Sequence, residues 1–150
     1  MNNRTIQKQG MMNSGWVRIY RTVSFSLAIL FGLVGLLFLL VPESVILFFN
    51  NLSPLVGLQK SPVHSISLFV ILAAGYMYLV TMLAYGMYKN PEQSVFPLLL
   101  VHGKTASSLL SLFFFVFSMP SLIFLVNGLI DGLIALGVFL LSHKIRGFLT

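Results

Sequence analysis

Lys104 and Asp131 are charged residues inside long apolar stretches of the sequence. His102 is a third ionisable residue and lies in the same apolar stretch as Lys104. A charge in apolar surroundings is costly unless it is paired and hydrogen-bonded. A lysine amine can act as a nucleophile or hold an anion, but only if no carboxylate already neutralises it. The first question is therefore whether the helices that carry these residues bring Lys104 and Asp131 together.

Polar residues flank both charges at helical spacing. The spacing i, i+3, i+4, i+7 holds for Lys104, Ser107, Ser108 and Ser111, and the spacing i, i+4 holds for Asn127 and Asp131. Each set lies on one face of a helix. Two glycines beside Asp131 form a G-x-x-x-G pair, which allows close approach of a neighbouring helix. The predicted buried polar cluster is Lys104, Asp131, Asn127, Ser107, Ser108, Ser111, Tyr78 and Thr81, and the predicted packing glycines are Gly128 and Gly132.

The composition is that of a membrane protein. Hydrophobic residues make up 57% of the 150 residues and charged residues 8%, against about 25% charged in soluble domains. Mean hydropathy is +0.96, and a soluble domain of this size could not hide so much apolar surface. The net charge of +6 comes from basic residues that flank apolar spans, which argues against nucleic-acid binding. The sequence has no cysteine, so thiolate metal sites and disulfides are excluded.

The pattern of apolar runs and breaks predicts an all-α membrane protein, a bundle of four transmembrane helices in one domain, 1–150. A polar N-terminal tail covers 1–15, and the spans cover about 17–41, 62–87, 93–118 and 120–142. Proline ends or begins spans at Pro42, Pro62 and Pro91, because it cannot donate a helical hydrogen bond. Pro97 predicts a bend in the third span. The apolar segment 43–60 predicts a short helix in the membrane interface.

Depth along the spans predicts an ion pair between Lys104 and Asp131. Each lies about 14–15 Å from the start of its span at 1.5 Å per residue, near the middle of a core ~30 Å thick. The tight turn at Met119-Pro120 makes the third and fourth spans an antiparallel hairpin, so the two charges face each other across it. Three roles remain open for the pair: a structural pin that fixes the hairpin register, a binding or catalytic pocket, or docking to the charges of a partner subunit.

His102 lies about 200° around the helix from Lys104 and is predicted to contact a partner, a ligand, lipid or the first span. Haem ligation between two histidines of this chain is disfavoured, since His64 and His143 lie at other depths. Ligation by His102 with Met77 or Met82 is the weaker alternative. No metal site, catalytic residue or nucleotide-binding motif is predicted, and quinone or lipid is the expected ligand if there is one.

The layout resembles the DoxX-like group of small four-helix bacterial membrane proteins. The similar features are the glycine-containing first span that ends in proline, GLVGLLFLLVPES, and the small-residue centre of the second span, LAAGYMYL. The resemblance implies an association with redox enzyme complexes for some members of the group. It carries no functional residue over to this chain.

Three functions follow from these features. The first is a non-catalytic accessory or assembly subunit of a larger membrane complex, with other membrane subunits or a homo-oligomer as partners besides the lipids. The second is a quinone- or lipid-binding membrane redox protein that uses the Lys/Asp pocket. The third is a proton or small-solute transporter that acts as an oligomer, since four helices leave little room for alternating access.

Basic residues near the span ends predict that both termini are cytoplasmic. The resemblance implies that the membrane is the bacterial inner membrane. One side of the bundle then holds Arg4, Lys8, Arg18, Arg21, Lys89, Lys144 and Arg146, and the other side holds Lys60.

Single cysteines test this orientation without interference, since the chain has none of its own. Asn3→Cys, Lys89→Cys and Phe148→Cys should react with a membrane-impermeant thiol reagent only from the cytoplasmic side, and Val56→Cys only from the outside. Labelling of position 89 from outside would show that the number of spans is wrong.

Overall fold

The part of the chain that the structure describes contains five α-helices, and four of them are long and apolar enough to cross a membrane. The computed structural model describes the backbone of residues 3–62 and 67–149 and the side chains of 15–62 and 70–145. The helices are α1 (Asn3–Leu40), α2 (Pro42–Leu52), α3 (Ser67–Lys89), α4 (Val95–Phe117) and α5 (Leu122–Leu149). The candidate spans are Gly15–Leu40, Val70–Lys89, Val95–Phe117 and Leu122–Ile145. The predicted four-span, all-α architecture is confirmed.

The predicted interfacial segment is also confirmed, and proline defines its start. α1 ends at Leu40, and Pro42 takes the first position of α2, where its missing N–H is not needed. A short 3-10 turn, Ser53–Val56, follows directly. Gly57 ends it with φ = 68°, a left-handed conformation that glycine adopts without steric cost.

The ends of the spans differ from the prediction in three places. α1 begins at Asn3, so most of the predicted polar tail is helical, because no proline or cap interrupts a helix that can extend one hydrogen bond at a time. α5 continues to Leu149 for the same reason, beyond the predicted end at 142. The predicted start of the second span falls beside residues 63–66, which lie outside the described residues.

The start of α4 is also different. Asn90 does not begin the helix: its carbonyl accepts a hydrogen bond from the Gln93 N–H in a turn, and α4 starts at Val95. Pro97 then lies in the first helical turn, where backbone N–H groups have no partner within the helix. Pro97 is therefore at the start of the helix and not in its interior, where the prediction of a bend had placed it.

The spans pack as two pairs, α1 with α3 and α4 with α5. Contacts between α3 and α4 and, to a smaller extent, between α1 and α5 join the pairs into one bundle. The buried apolar residues at the centre include Phe31, Met77, Val80, Ala84 and Leu100. The smaller contact between α1 and α5 leaves that side of the bundle the least closed.

Asn50 anchors the loop that follows α2. Its side-chain amide donates to the Ser61 carbonyl (2.8 Å) and accepts from the Ser61 N–H (2.7 Å). The Gln59 N–H donates to the Pro120 carbonyl at the turn between α4 and α5. These bonds hold α2 and its loop against the end of the α4–α5 pair.

Replacement of Asn50 by alanine should destabilise the protein by about 1–3 kcal/mol, because it leaves both backbone groups of Ser61 without their partner. Asn51→Ala is the matched control: Asn51 is exposed, and surface substitutions usually stay within ~0.5 kcal/mol. Thermal unfolding in detergent measures both. Equal changes in stability for Asn50→Ala and Asn51→Ala would show that the hydrogen bonds of Asn50 do not stabilise the protein.

Candidate functional site

Lys104 and Asp131 form the predicted ion pair. The Lys104 Nζ lies 2.7 Å from the Asp131 Oδ1, and the two side chains are 3% and 5% exposed. Lys104 is the ninth residue after the start of α4, and Asp131 is the ninth after the start of α5. In an antiparallel pair this places both charges about 14 Å along their helices, near the middle of a ~30 Å core.

Two aromatic rings from the other helix pair cover the ammonium group. The Lys104 Nζ lies 4.6 Å from the ring centroid of Phe31 on α1 and 5.2 Å from that of Tyr76 on α3. Cation–π attraction at these distances favours the charged amine, and it is stronger where water is excluded. All four spans therefore contribute a side chain to the surroundings of one charge.

The glycines and serines beside the pair set the distance between α4 and α5. A Cβ added at Gly128 would lie 2.8 Å from Leu112, and one added at Gly132 would lie 3.0 Å from the Ser108 Oγ. Ser108 donates to the Gly128 carbonyl across this contact, at 2.7 Å. The G-x-x-x-G pair is thus used inside the bundle, and it is not a free face for a second copy.

Asn127 joins the two helices one turn from the ion pair. Its amide nitrogen lies 2.8 Å from the Ser111 Oγ and 3.4 Å from the Ser107 Oγ. Asn127 is itself exposed, in contrast to Lys104, Asp131, Ser108 and Ser111. The predicted faces of the third and fourth spans therefore meet as expected, with Asn127 at the edge of the contact.

The second span contributes different residues from those predicted. Tyr78 is 64% exposed, and the Thr81 hydroxyl donates to the Met77 carbonyl of its own helix. The assignment of Tyr78 to the buried cluster was wrong, and Thr81 is half-buried. The buried face of α3 carries Met77, Val80 and Ala84. Tyr76 takes the place expected of Tyr78. Its hydroxyl is buried beside Ser107, without hydrogen-bonding geometry to any described residue.

His102 lies apart from the cluster, as its position on the helix predicts. Its side chain is exposed, and Nδ1 lies 2.8 Å from the Leu98 carbonyl of the same helix. Among the described residues, no group of three or more histidine and acidic side chains is arranged to hold a metal ion.

A cleft of about 530 Å³ reaches the ion pair from the side of the bundle where α1 and α5 have few contacts. Its walls are mostly apolar residues of α1, α2 and α5, and its polar lining residues are Ser44, Asn127 and the ion pair. The lining residues are Leu30, Phe31, Val34, Leu37, Phe38, Val41, Ser44, Val45, Phe48, Phe49, Met77, Lys104, Ile123, Val126, Asn127, Ile130, Asp131 and Ile134.

A pocket at the Lys/Asp pair was one of the alternatives that the sequence left open, but the walls of the cleft were not predicted, because they depend on where α2 lies. Phe48 and Phe49 of α2 contribute to its wall, and neither differs in type or spacing from other aromatic residues of the chain. The aromatic cover over Lys104 was missed for the same reason: Phe31 is one of 14 phenylalanines, with no polar neighbour to single it out.

The arrangement suits binding and charge neutralisation more than catalysis. Lys104 is paired and covered, so it is not a free amine nucleophile. The second carboxylate of a general acid–base pair is missing from the described residues of the cleft. Comparison with models of known families, with characterised proteins and with solved structures finds no match. The site must therefore be interpreted from its own geometry.

Removal of one charge should be more damaging than removal of both. Lys104→Met leaves Asp131 buried without a partner, and Asp131→Leu does the same to Lys104. Such changes typically cost ~3–5 kcal/mol in soluble proteins, and less where a stranded charge can recruit water within a membrane. The double variant should recover much of the lost stability. Thermal unfolding of the wild type, the two single variants and the double variant measures the coupling energy between the two residues.

The double variant also separates a structural from a functional role. A stable double variant that keeps its function indicates a register pin, and a stable but inactive one indicates a functional site. Additive effects of the two single substitutions would contradict the pairing.

Proposed function

We propose that this integral membrane protein binds a membrane-soluble molecule with a polar head and an apolar tail, of the quinone or lipid class, in the cleft between α1, α2 and α5. The observation that carries the proposal is an apolar cleft that contains a buried ion pair. Small-molecule sites are typically 300–1,000 Å³, mostly apolar and equipped with a few convergent polar groups. The cleft meets each of these criteria.

The position of the polar groups supports a ligand over a purely structural pin. A purely structural role, fixing the register of α4 and α5, needs only the contact between these two helices. Ser108, Gly128 and Gly132 already hold that contact together. Lys104 and Asp131 also line the cleft, together with residues of α1 and α2. Ionisable residues within membrane spans are candidates for function by default, and here they have a cavity to act in.

A role as an accessory or assembly subunit is the second candidate, and it rests on exposed polar side chains within the spans. His102 and Tyr78 face outward from α4 and α3. A polar group that faces lipid favours protein contact instead, since helices in membranes associate through such groups. Binding of a ligand and membership of a complex are compatible.

The basic residues support an orientation with both termini in the cytoplasm. The start of α1, the end of α3, the start of α4 and the end of α5 lie at one end of the bundle, where Arg18, Arg21, Lys89 and Lys144 are found. The Lys144 Nζ stacks 3.7 Å from the Trp16 ring, in the aromatic belt expected at headgroup level.

Purification in mild detergent tests the binding function. The wild-type protein should retain a lipid-soluble molecule, identified by mass spectrometry of the organic extract. Ile130→Trp should reduce the retained amount at least tenfold, because Ile130 lines the cleft and the larger ring fills it. Leu129→Trp is the matched control: it is adjacent and similarly exposed (53% against 50%), but it does not line the cleft.

Equal retention by the wild type and Ile130→Trp would overturn the proposal, as would the absence of any retained molecule above the bulk lipid background. The native mass of the same sample tests the second candidate, which requires additional subunits or copies of this chain.

A further inference from the structure

Asp131 has an unused hydrogen-bond acceptor. Its Oδ1 accepts from Lys104, whereas its second oxygen makes no hydrogen bond to the described residues and is not completely enclosed. An ionised carboxylate has two oxygens and accepts hydrogen bonds only. Asp131 lines the cleft, so this acceptor is available to a donor inside it.

The ammonium group of Lys104 is less available to a ligand than the second oxygen of Asp131. One N–H bond is directed to Asp131, and the rings of Phe31 and Tyr76 cover other sides of the ammonium group. The charges of the pair also cancel each other. An anionic head would therefore meet the free oxygen of Asp131 without an uncompensated cation to balance it, and burial of another charge in this environment is costly.

The dimensions of the cleft limit the rest of the molecule. From Leu30 to Phe38 it follows α1 for about 12 Å at 1.5 Å per residue, somewhat less than half of the ~30 Å bilayer core. The volume of about 530 Å³ lies in the lower half of the 300–1,000 Å³ range of small-molecule sites. A volume of this size suits a head with one chain better than a two-chain phospholipid.

We infer that the cleft selects a neutral, single-chain lipid whose hydroxyl group donates a hydrogen bond to Asp131 near the middle of the membrane, with its chain directed toward α2. This inference rests on the proposed binding function and specifies the head group. Long-chain alcohols, isoprenoid alcohols and the reduced, hydroxyl-bearing form of a quinone share this chemistry.

Three twelve-carbon probes test the head group: 1-dodecanol, 2-dodecanone and dodecane. Each is added to the detergent-solubilised protein at known mole fractions in the micelle, and its dissociation constant is obtained from the rise in unfolding temperature. Dodecanol should bind at least about tenfold more tightly than the ketone or the alkane, the size expected for a hydrogen bond to a charged acceptor. Ile130→Trp should remove the stabilisation, and Leu129→Trp should leave it unchanged.

Variants identify the acceptor. Lys104→Met combined with Asp131→Leu should bind the alcohol no better than the alkane. Tyr78→Phe should keep the preference, because it removes a hydroxyl from an exposed side chain that does not line the cleft. If the double variant does not fold, the three probes on the wild-type protein still decide the question.

The outcomes separate this inference from the proposed function. A ketone that binds as tightly as the alcohol would mean that Lys104 donates to the head, and equal binding of all three probes would mean that only apolar contact matters. Either result overturns the hydroxyl preference and leaves the binding function in place. Failure of every probe to stabilise the wild-type protein would count against both.

Discussion

The burial of one ammonium group at the middle of the membrane is the constraint on which the rest of this structure depends. Lys104 is 3% exposed about 14 Å from the start of α4, where neither headgroups nor water surround it. A charge at this depth is tolerated only if the protein replaces its solvation. A carboxylate from α5 and aromatic rings from α1 and α3 do so, which requires the four spans to converge on a single point.

This requirement explains the pattern of packing between the helices. Helices in a membrane gain little from apolar contact with one another, because the lipid offers the same contact. Close approach through Gly128 and Gly132, with the Ser108 hydrogen bond, holds α4 against α5. The Lys104 side chain then extends from that pair to Phe31 and Tyr76 on the other. The ion pair thus acts between helix pairs as well as within the hairpin.

Sequence reasoning found those parts of the site that carry a periodic polar signal. The serines near Lys104 and the i, i+4 relation of Asn127 and Asp131 sufficed to predict the face-to-face contact of α4 and α5. On α3 the same reasoning chose Tyr78 over Tyr76, because Tyr78 lies on one helical stripe with Thr81 and a polar stripe was taken as a sign of burial. In a membrane a tyrosine can face outward, and the buried face of α3 is marked by small and apolar residues, which have no distinctive pattern in so apolar a chain.

The position of α2 lay beyond the reach of the sequence for a different reason. Its existence follows from Pro42 and the apolar segment after it, but its placement depends on hydrogen bonds between residues far apart in the chain, such as Asn50 with Ser61 and Gln59 with Pro120. That placement completes the wall of the cleft. In the proposed function, the pin and the binding site are two uses of the same pair: Asp131 neutralises Lys104 through one oxygen, and the cleft shaped by α2 leaves the other oxygen to a ligand.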